Sequence, residues 1–130
     1  MESNLCNKLY FYRAKVVSVY DGDTIRADID LGLFTSCMKT KLRLADIDTP
    51  ELRGEESEDG LIVRDYVRNL VLHRDIIVKT KKTGKYGRWI AWIYIVDNPH
   101  FEDTTSISEH LLKIGYAVPY GFPWEGLPEQ

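Results

Sequence analysis

Three short groups of polar residues combine side-chain types that could do chemistry together. They are Asp21-Gly22-Asp23-Thr24, the stretch from Arg43 to Glu51, and Lys85-Tyr86-Gly87-Arg88. The carboxylates of Asp23 and Asp48, supplemented by a backbone carbonyl, offer only oxygen ligands. Such a set favours a hard divalent cation that keeps several waters.

The remaining polar residues of these groups suit a phosphate. Arg43 and Arg88 present planar guanidinium groups that match phosphate oxygens and stay charged near neutral pH. Glu51 is then left as a candidate base for a water molecule. Hydrolysis of a phosphodiester needs these parts, since cations stabilise charge on the five-coordinate phosphorus and a carboxylate orients the attacking water.

Each group also has an ordinary structural explanation. Asp-Gly-Asp is typical of a hairpin turn, and it does not continue as an EF-hand loop. Lys-Tyr-Gly-Arg is typical of a turn between strands, and the basic run 79–85 is either a solvated turn or a guide for phosphates. Two readings without catalysis stay open, namely a nucleic-acid-binding module and a protein-interaction barrel. The second leaves the coexistence of the acidic and guanidinium groups unexplained.

Length and composition predict one domain over residues 1–130, with a core at about 10–120 and an extended tail at 121–130. Hydrophobic residues make up 44% and charged residues 28%, as in globular proteins. The net charge of −3 argues against a protein that coats nucleic acid through bulk positive charge, although a local basic cleft is compatible with it. Cys6 and Cys37 match no metal or redox spacing, so free thiols are expected. No signal peptide is visible, so we expect a cytoplasmic protein, with secretion after removal of a signal as the alternative. No apolar run has the length of a membrane-spanning helix, and we expect a monomer.

The elements that must position these groups follow from hydrophobic periodicity. Alternation and β-branched or aromatic content predict five strands, at Tyr10–Tyr20, Thr24–Leu31, Lys39–Asp46, Ile76–Val78 and Trp89–Val96. The connection 32–38 is expected to be irregular. Trp89, Trp92 and Tyr94 are assigned to the core rather than to a nucleotide platform.

Two helices complete the prediction. Apolar rows at a spacing of four residues indicate a helix over 61–72, in which Val63, Val67 and Val71 form one row. A short second helix is predicted with Ser108 as its N-cap and Gly115 at its end. The proline-rich and aromatic-rich segment 116–130 is expected to lie extended over the body. Five strands and these helices suggest a five-stranded Greek-key OB-fold barrel, with a generic α+β sandwich as the alternative.

In order along the chain, these motifs resemble the staphylococcal nuclease (thermonuclease) family. The resemblance is carried by Val19-Tyr20-Asp21-Gly22-Asp23-Thr24, by Leu42-Arg43-Leu44 with Ile47-Asp48-Thr49-Pro50-Glu51, and by Lys85-Tyr86-Gly87-Arg88. It runs from about Tyr12 to Tyr120. The family implies the five-stranded barrel with helices and a calcium-dependent nuclease that attacks DNA and RNA with water.

The resemblance also implies a role for each matching residue. The calcium ligands fall on Asp23, Asp48 and the carbonyl of Thr49, with Asp21 behind them. Arg43 and Arg88 would bind the reacting phosphate, and Glu51 would act as general base. Lys85, Tyr86 and Tyr120 would contact the substrate. Simple alternation puts Asp48 and Arg43 on opposite faces, so the strand must break or bulge before Asp48, and Asp46 is assigned a structural role. Single strands are the preferred substrate, because the bases must be splayed for a small cleft to reach one phosphate.

Overall fold

The computed structural model describes residues 4–81, 89–96, 98–99, 101 and 104–128. Its strands are β1 (Phe11–Asp21), β2 (Thr24–Gly32), β3 (Thr35–Leu44), β4 (Ile47–Asp48), β5 (Asp75–Thr80), β6 (Trp89–Ile95) and β7 (Val118–Pro119). The helices are α1 (Ser57–Val71) and α2 (Ile107–Ile114).

A closed barrel of five strands forms the body of the protein, in the order β1-β2-β3-β6-β5. All pairs are antiparallel except β3 with β6, which run parallel with Arg43 beside Ile90. Closure removes the free sheet edges that would otherwise pair with other chains. The predicted OB-type barrel with helices is confirmed, and the sandwich alternative is not observed.

The barrel is filled by the residues that alternation placed inside. Strand β2 buries Ile25, Ala27 and Ile29. Helix α1 packs against the barrel with a buried row formed by Val63, Val67 and Val71. Burying one branched aliphatic side chain contributes about 1.5–3 kcal/mol. Helix α1 therefore covers one side of the barrel through a single valine row.

The β2–β3 connection differs from the prediction. Residues 32–38 were expected to be irregular, but β3 already begins at Thr35, and Leu33 and Phe34 form a two-residue turn with positive φ at both positions. The side chains of Thr35–Met38 are all exposed, so no alternation marks them as a strand. Leu31, which continues the apolar alternation of Ile25, Ala27 and Ile29, is 41% exposed because this hairpin extends beyond the barrel.

Two further predictions were wrong. The N-cap of α2 is Ser106, whose hydroxyl accepts a hydrogen bond from the amide of Glu109, while Ser108 lies inside the helix. Trp92 and Tyr94 are not core residues, because they point outward from β6 while Ala91, Ile93 and Ile95 fill the barrel. Trp89 is on the inward row but is 42% exposed at the start of the strand, so it is not a core residue either. Gly115 ends α2 with a left-handed backbone, as predicted.

The tail returns to the barrel, as the sequence predicted. Strand β7 pairs with β4, the indole of Trp124 donates to Asp59 of α1, and Pro128 packs against Gly115. Among the described residues, no helix has the length and apolar character needed to cross a membrane.

Candidate active site

Asp23 lies at the start of β2, where backbone and side-chain donors fix its carboxylate. Oδ2 accepts from the Thr49 amide at 3.0 Å, and Oδ1 accepts from the Thr24 hydroxyl at 3.2 Å. The residue is 8% exposed. Gly22 permits this approach, since a Cβ there would lie 2.8 Å from Thr49 Oγ1 and 2.6 Å from Val63 Cγ1. The hydrogen bond between Asp23 and Thr49 therefore joins the start of β2 to the segment that follows β4.

Arg43 brings the two predicted metal carboxylates together. Its Nη2 atom lies 2.5 Å from Asp48 Oδ1 and 3.4 Å from Asp23 Oδ2, so both carboxylates contact one guanidinium nitrogen. Nη1 donates to the Leu44 carbonyl at 2.9 Å, which fixes the fork. The Arg43 side chain is 9% exposed. Buried charges of this kind persist only when paired and hydrogen-bonded.

The interruption of the strand before Asp48 has a clear cause. Asp46 adopts a left-handed backbone with φ of 70°, which ends the β3 alternation and lets Asp48 turn toward Arg43. The Asp46 carboxylate accepts from the Trp92 indole at 2.9 Å, and its carbonyl accepts from the Tyr120 amide at 3.0 Å. The predicted break is confirmed, and Asp46 supports the turn.

The C-terminal tail forms one wall of the site, a contribution that was not predicted. The Gly121 amide donates to Asp48 Oδ2 at 2.8 Å, opposite the oxygen that meets Arg43. A left-handed φ of 86° at Gly121 suits glycine. The prolines and aromatic residues of the tail signalled an extended segment, but no sequence signal paired it with Asp48.

Glu51 lines a cleft of about 180 Å³ with Asp48 and Thr49, and the tail residues Phe122 and Trp124 face it. Its side chain is exposed, and its amide donates to Glu56 Oε1 at 3.3 Å. Its carbonyl packs on α1 at Gly60, where a Cβ would overlap the carbonyl oxygen. The cleft therefore joins Asp48, one carboxylate of the predicted metal set, with the predicted base.

Negative charge is concentrated behind this cleft. Asp21 is half-buried and accepts from the Asp23 amide at 3.0 Å. Burial, followed by the neighbouring Asp23 carboxylate, raises the pKa of Asp21 to about 6. Desolvation and a like charge both disfavour the ionised carboxyl.

The donor set fits a hard divalent cation. Two carboxylates share one guanidinium, so one negative charge remains to be neutralised at the point where Asp23 and Asp48 converge. The hydroxyl oxygen of Thr49 is buried there without a hydrogen-bond partner. Within the described ranges, no three His, Cys, Asp or Glu side chains form a metal-binding group. Any cation here would depend on two carboxylates, a carbonyl and water.

The structure brings together most of the predicted site residues. Asp21, Asp23, Arg43, Asp48, Thr49 and Glu51 lie at one end of the barrel. Tyr120 is 72% exposed and its ring centroid lies 5.9 Å from Arg43 Cζ. Arg88, Lys85 and Tyr86 lie outside the described residues.

The fold and this cleft define a class of protein, an OB-type barrel whose paired carboxylates and guanidinium are suited to a phosphate ester. The family model for staphylococcal nuclease homologues matches residues 41–125 of the chain. The protein therefore belongs to the staphylococcal nuclease homologue family, and it is nuclease-like in fold and family.

Curated relatives agree with this assignment. A micrococcal nuclease of Shigella flexneri is 30% identical over 113 residues, covering 85% of this chain and 60% of the relative. An uncharacterised protein of Methanocaldococcus jannaschii is 27% identical over 132 residues, covering 84% and 59%. A probable endonuclease of Schizosaccharomyces pombe is 28% identical over 82 residues, covering 61% and 36%. The chain spans about 36–60% of the length of these relatives.

Proposed function

We propose that this protein is a calcium-dependent nuclease that hydrolyses phosphodiester bonds of DNA or RNA and prefers single strands. The observation that carries the proposal is the contact of one Arg43 nitrogen with both Asp23 and Asp48. Two carboxylates in contact with one guanidinium would supply a cation site and a phosphate site side by side. Family membership and the printed names of two nuclease relatives support the same activity.

Asp23, Asp48 and the Thr49 carbonyl would hold the calcium ion, which supplies Lewis-acid stabilisation of a phosphate oxygen when bound. Hydrogen bonds from Thr49 and Gly121 orient the two carboxylates in advance. With so few protein ligands, we expect weak calcium binding, with Kd in the range of about 10⁻⁴–10⁻³ M.

Arg43 would stabilise charge on the reacting phosphate through its planar fork. Asp23 and Asp48 would hold the cation through oxygen atoms that contact Arg43, so the Arg43 guanidinium would then be available for phosphate. Glu51, exposed in the cleft, would orient the attacking water and accept its proton. Arg88, Lys85 and Tyr86 are assigned to phosphate binding by sequence alone.

The preference for single strands follows from the size of the site. The cleft measures about 180 Å³ and is lined by Thr49 and by the tail residues Phe122 and Trp124. An unstacked strand can place one phosphate there, whereas a stiff duplex would have to be locally opened.

The direct test is cleavage of a labelled single strand across a calcium titration, repeated with chelator. We expect cleavage that rises with millimolar calcium, stops with chelator and is slower on duplex. Absence of cleavage at every calcium concentration, or cleavage that chelator leaves unchanged, would overturn the proposal. Binding of the strand without cleavage would instead indicate a nucleic-acid-binding module.

Glu51→Gln tests the proposed base. We expect the cleavage rate to fall about 10²- to 10⁴-fold while calcium affinity stays near that of the parent. Glu58→Gln makes the same chemical change at an exposed position of α1 and serves as the control. A large loss of calcium affinity in Glu51→Gln would make Glu51 a ligand rather than the base.

Arg43→Lys tests whether the guanidinium fork matters beyond its charge. Lysine keeps the positive charge but is a point charge without the fork. We expect the rate to fall about 10²- to 10³-fold at saturating calcium. A rate equal to that of the parent would contradict the role proposed for Arg43.

A further inference from the structure

A row of aromatic and basic side chains crosses the outer face of the barrel, away from the cleft carboxylates. Phe11 of β1 pairs with Lys79 of β5, and Lys79 pairs with Trp92 of β6, so the three side chains share one face. With Lys81, which follows at the end of β5, these residues form what we call the aromatic–lysine face.

The lysines of this face lie directly over its rings. Lys79 Nζ is 5.3 Å from the centroid of Phe11 and 5.8 Å from that of Trp92, and Lys81 Nζ is also 5.8 Å from Trp92. Phe11 is 39% exposed, and Lys81 is exposed. The rings are therefore at the surface rather than in the core, each within reach of a cation.

The aromatic–lysine face is continuous with the candidate active site. The Trp92 indole donates to Asp46, the Asp46 carbonyl accepts from Tyr120, and the Tyr120 ring lies beside Arg43. In the parallel pairing of β3 with β6, Ile90 lies next to Arg43, two residues before Trp92. A strand leaving the cleft past Tyr120 would meet Trp92 next.

We propose that the aromatic–lysine face is a second binding subsite, which holds the part of a single-stranded nucleic acid that extends beyond the reacting phosphate. Bases would stack on Trp92 and Phe11, and Lys79 and Lys81 would pair with phosphates. Every base has a π-face, so such a platform binds without sequence preference. The flexible lysine stems can turn from ring to phosphate without moving the backbone.

The charges around the face agree with this ligand. Among the described residues, Asp46 contacts the face, and its carboxylate is already engaged by the Trp92 indole. Arg13 lies opposite Asp30 in the β1–β2 register. The aromatic–lysine face therefore presents local positive charge on a chain whose net charge is −3.

This proposal rests on nucleic acid being the ligand of the proposed function, but it is tested without cleavage. In chelator, affinity is measured for a fluorescent oligodeoxythymidine of about ten nucleotides, within the site size of one OB-fold. We expect Trp92→Ala to raise Kd about 5- to 100-fold, the cost of losing one stacked base. Phe34→Ala removes a fully exposed aromatic side chain from the β2–β3 turn and should leave Kd unchanged.

A charge variant tests the lysines separately and does not depend on Trp92. In Lys79→Gln/Lys81→Gln, the slope of log Kd against log salt should fall by about 1.4, since each phosphate contact with a single strand contributes about 0.7. Lys39→Gln/Lys113→Gln makes the same change in net charge elsewhere and should keep the parent slope. Equal slopes for the two double variants would overturn the proposal.

Fluorescence gives a third readout. In Trp89→Phe/Trp124→Phe, emission comes from Trp92 alone, and stacking of a base should quench it on addition of the oligonucleotide. Unquenched emission at saturation would overturn the proposal even if binding occurs. A protein that binds through this face but never cleaves would refute the proposed nuclease and leave the subsite intact.

Discussion

Gly60→Ala is the substitution for which the structure and helix propensity predict opposite signs. Gly60 lies in the first turn of α1, where alanine would ordinarily stabilise the helix by about 1 kcal/mol. Here a Cβ would overlap the Glu51 carbonyl oxygen and lie 2.7 Å from its carbonyl carbon and 3.1 Å from the Pro50 oxygen. All three atoms belong to the backbone, so no side-chain rotation can relieve the overlap.

The free-energy cost of Gly60→Ala follows from how far the Glu51 backbone would have to move. The Glu51 carbonyl carbon alone would have to retreat from 2.7 Å to the 3.4 Å at which ordinary van der Waals contact begins. Overpacking costs typically about 1–3 kcal/mol, and a clash with rigid backbone belongs at the upper end. After the helix gain is subtracted, we expect a net loss of about 2 kcal/mol in the free energy of unfolding.

Urea denaturation in chelator, followed by tryptophan fluorescence, measures this loss. Asn69→Ala, at an exposed position of the same helix, is the control and should stabilise by about 0.5 kcal/mol. If Gly60→Ala stabilises as Asn69→Ala does, the close approach of α1 to Glu51 is refuted. If Glu51 is the base, Gly60→Ala should also slow cleavage, since a displacement near 1 Å can cost about 10²-fold.

Two further predictions concern stability. Trp124→Phe removes the hydrogen bond to Asp59 and should lower the free energy of unfolding by about 1 kcal/mol. The tail should also be cleaved earlier in limited proteolysis. Unchanged stability and unchanged proteolysis would contradict the docking of the tail. Burial lowers the pKa of His110, with Lys113 adding to the effect, and its Nε2 atom lies 2.6 Å from the Tyr66 hydroxyl. Because the unfolded state binds a proton at His110 before the native state does, the His110 contribution to stability should fall as pH drops below 6.5, while the raised pKa of Asp21 acts in the opposite direction. His110→Gln should therefore gain stability relative to the parent as pH drops, and an identical pH profile of the two proteins in urea denaturation would contradict this.

The barrel was predictable where one face of a strand is apolar. Ile25, Ala27 and Ile29 alternate with polar residues, and the valine row of α1 repeats every four residues. The start of β3 was missed because both of its faces are exposed. The aromatic residues of β6 were misplaced because large rings suit the outside of a barrel as well as its interior.

The site was predictable as a set of residue types and only partly as a geometry. The break at Asp46 followed from the face that Asp48 must take, but nothing in the sequence showed that Gly121 would hold the other oxygen of Asp48. The capping motif Ser106-x-x-Glu109 was present in the sequence and could have identified the start of α2. Contacts between segments that are far apart along the chain leave no local pattern in the sequence.

The pairing of β7 with β4 has a consequence for the order in which the site is assembled during synthesis. Segments emerge from the ribosome in order. The amide of Gly121, which donates a hydrogen bond to Asp48, is synthesised more than seventy residues after Asp48. The barrel strands are complete before that partner exists. The carboxylate of Asp48 therefore acquires its hydrogen bond from Gly121 only after all five barrel strands have been synthesised.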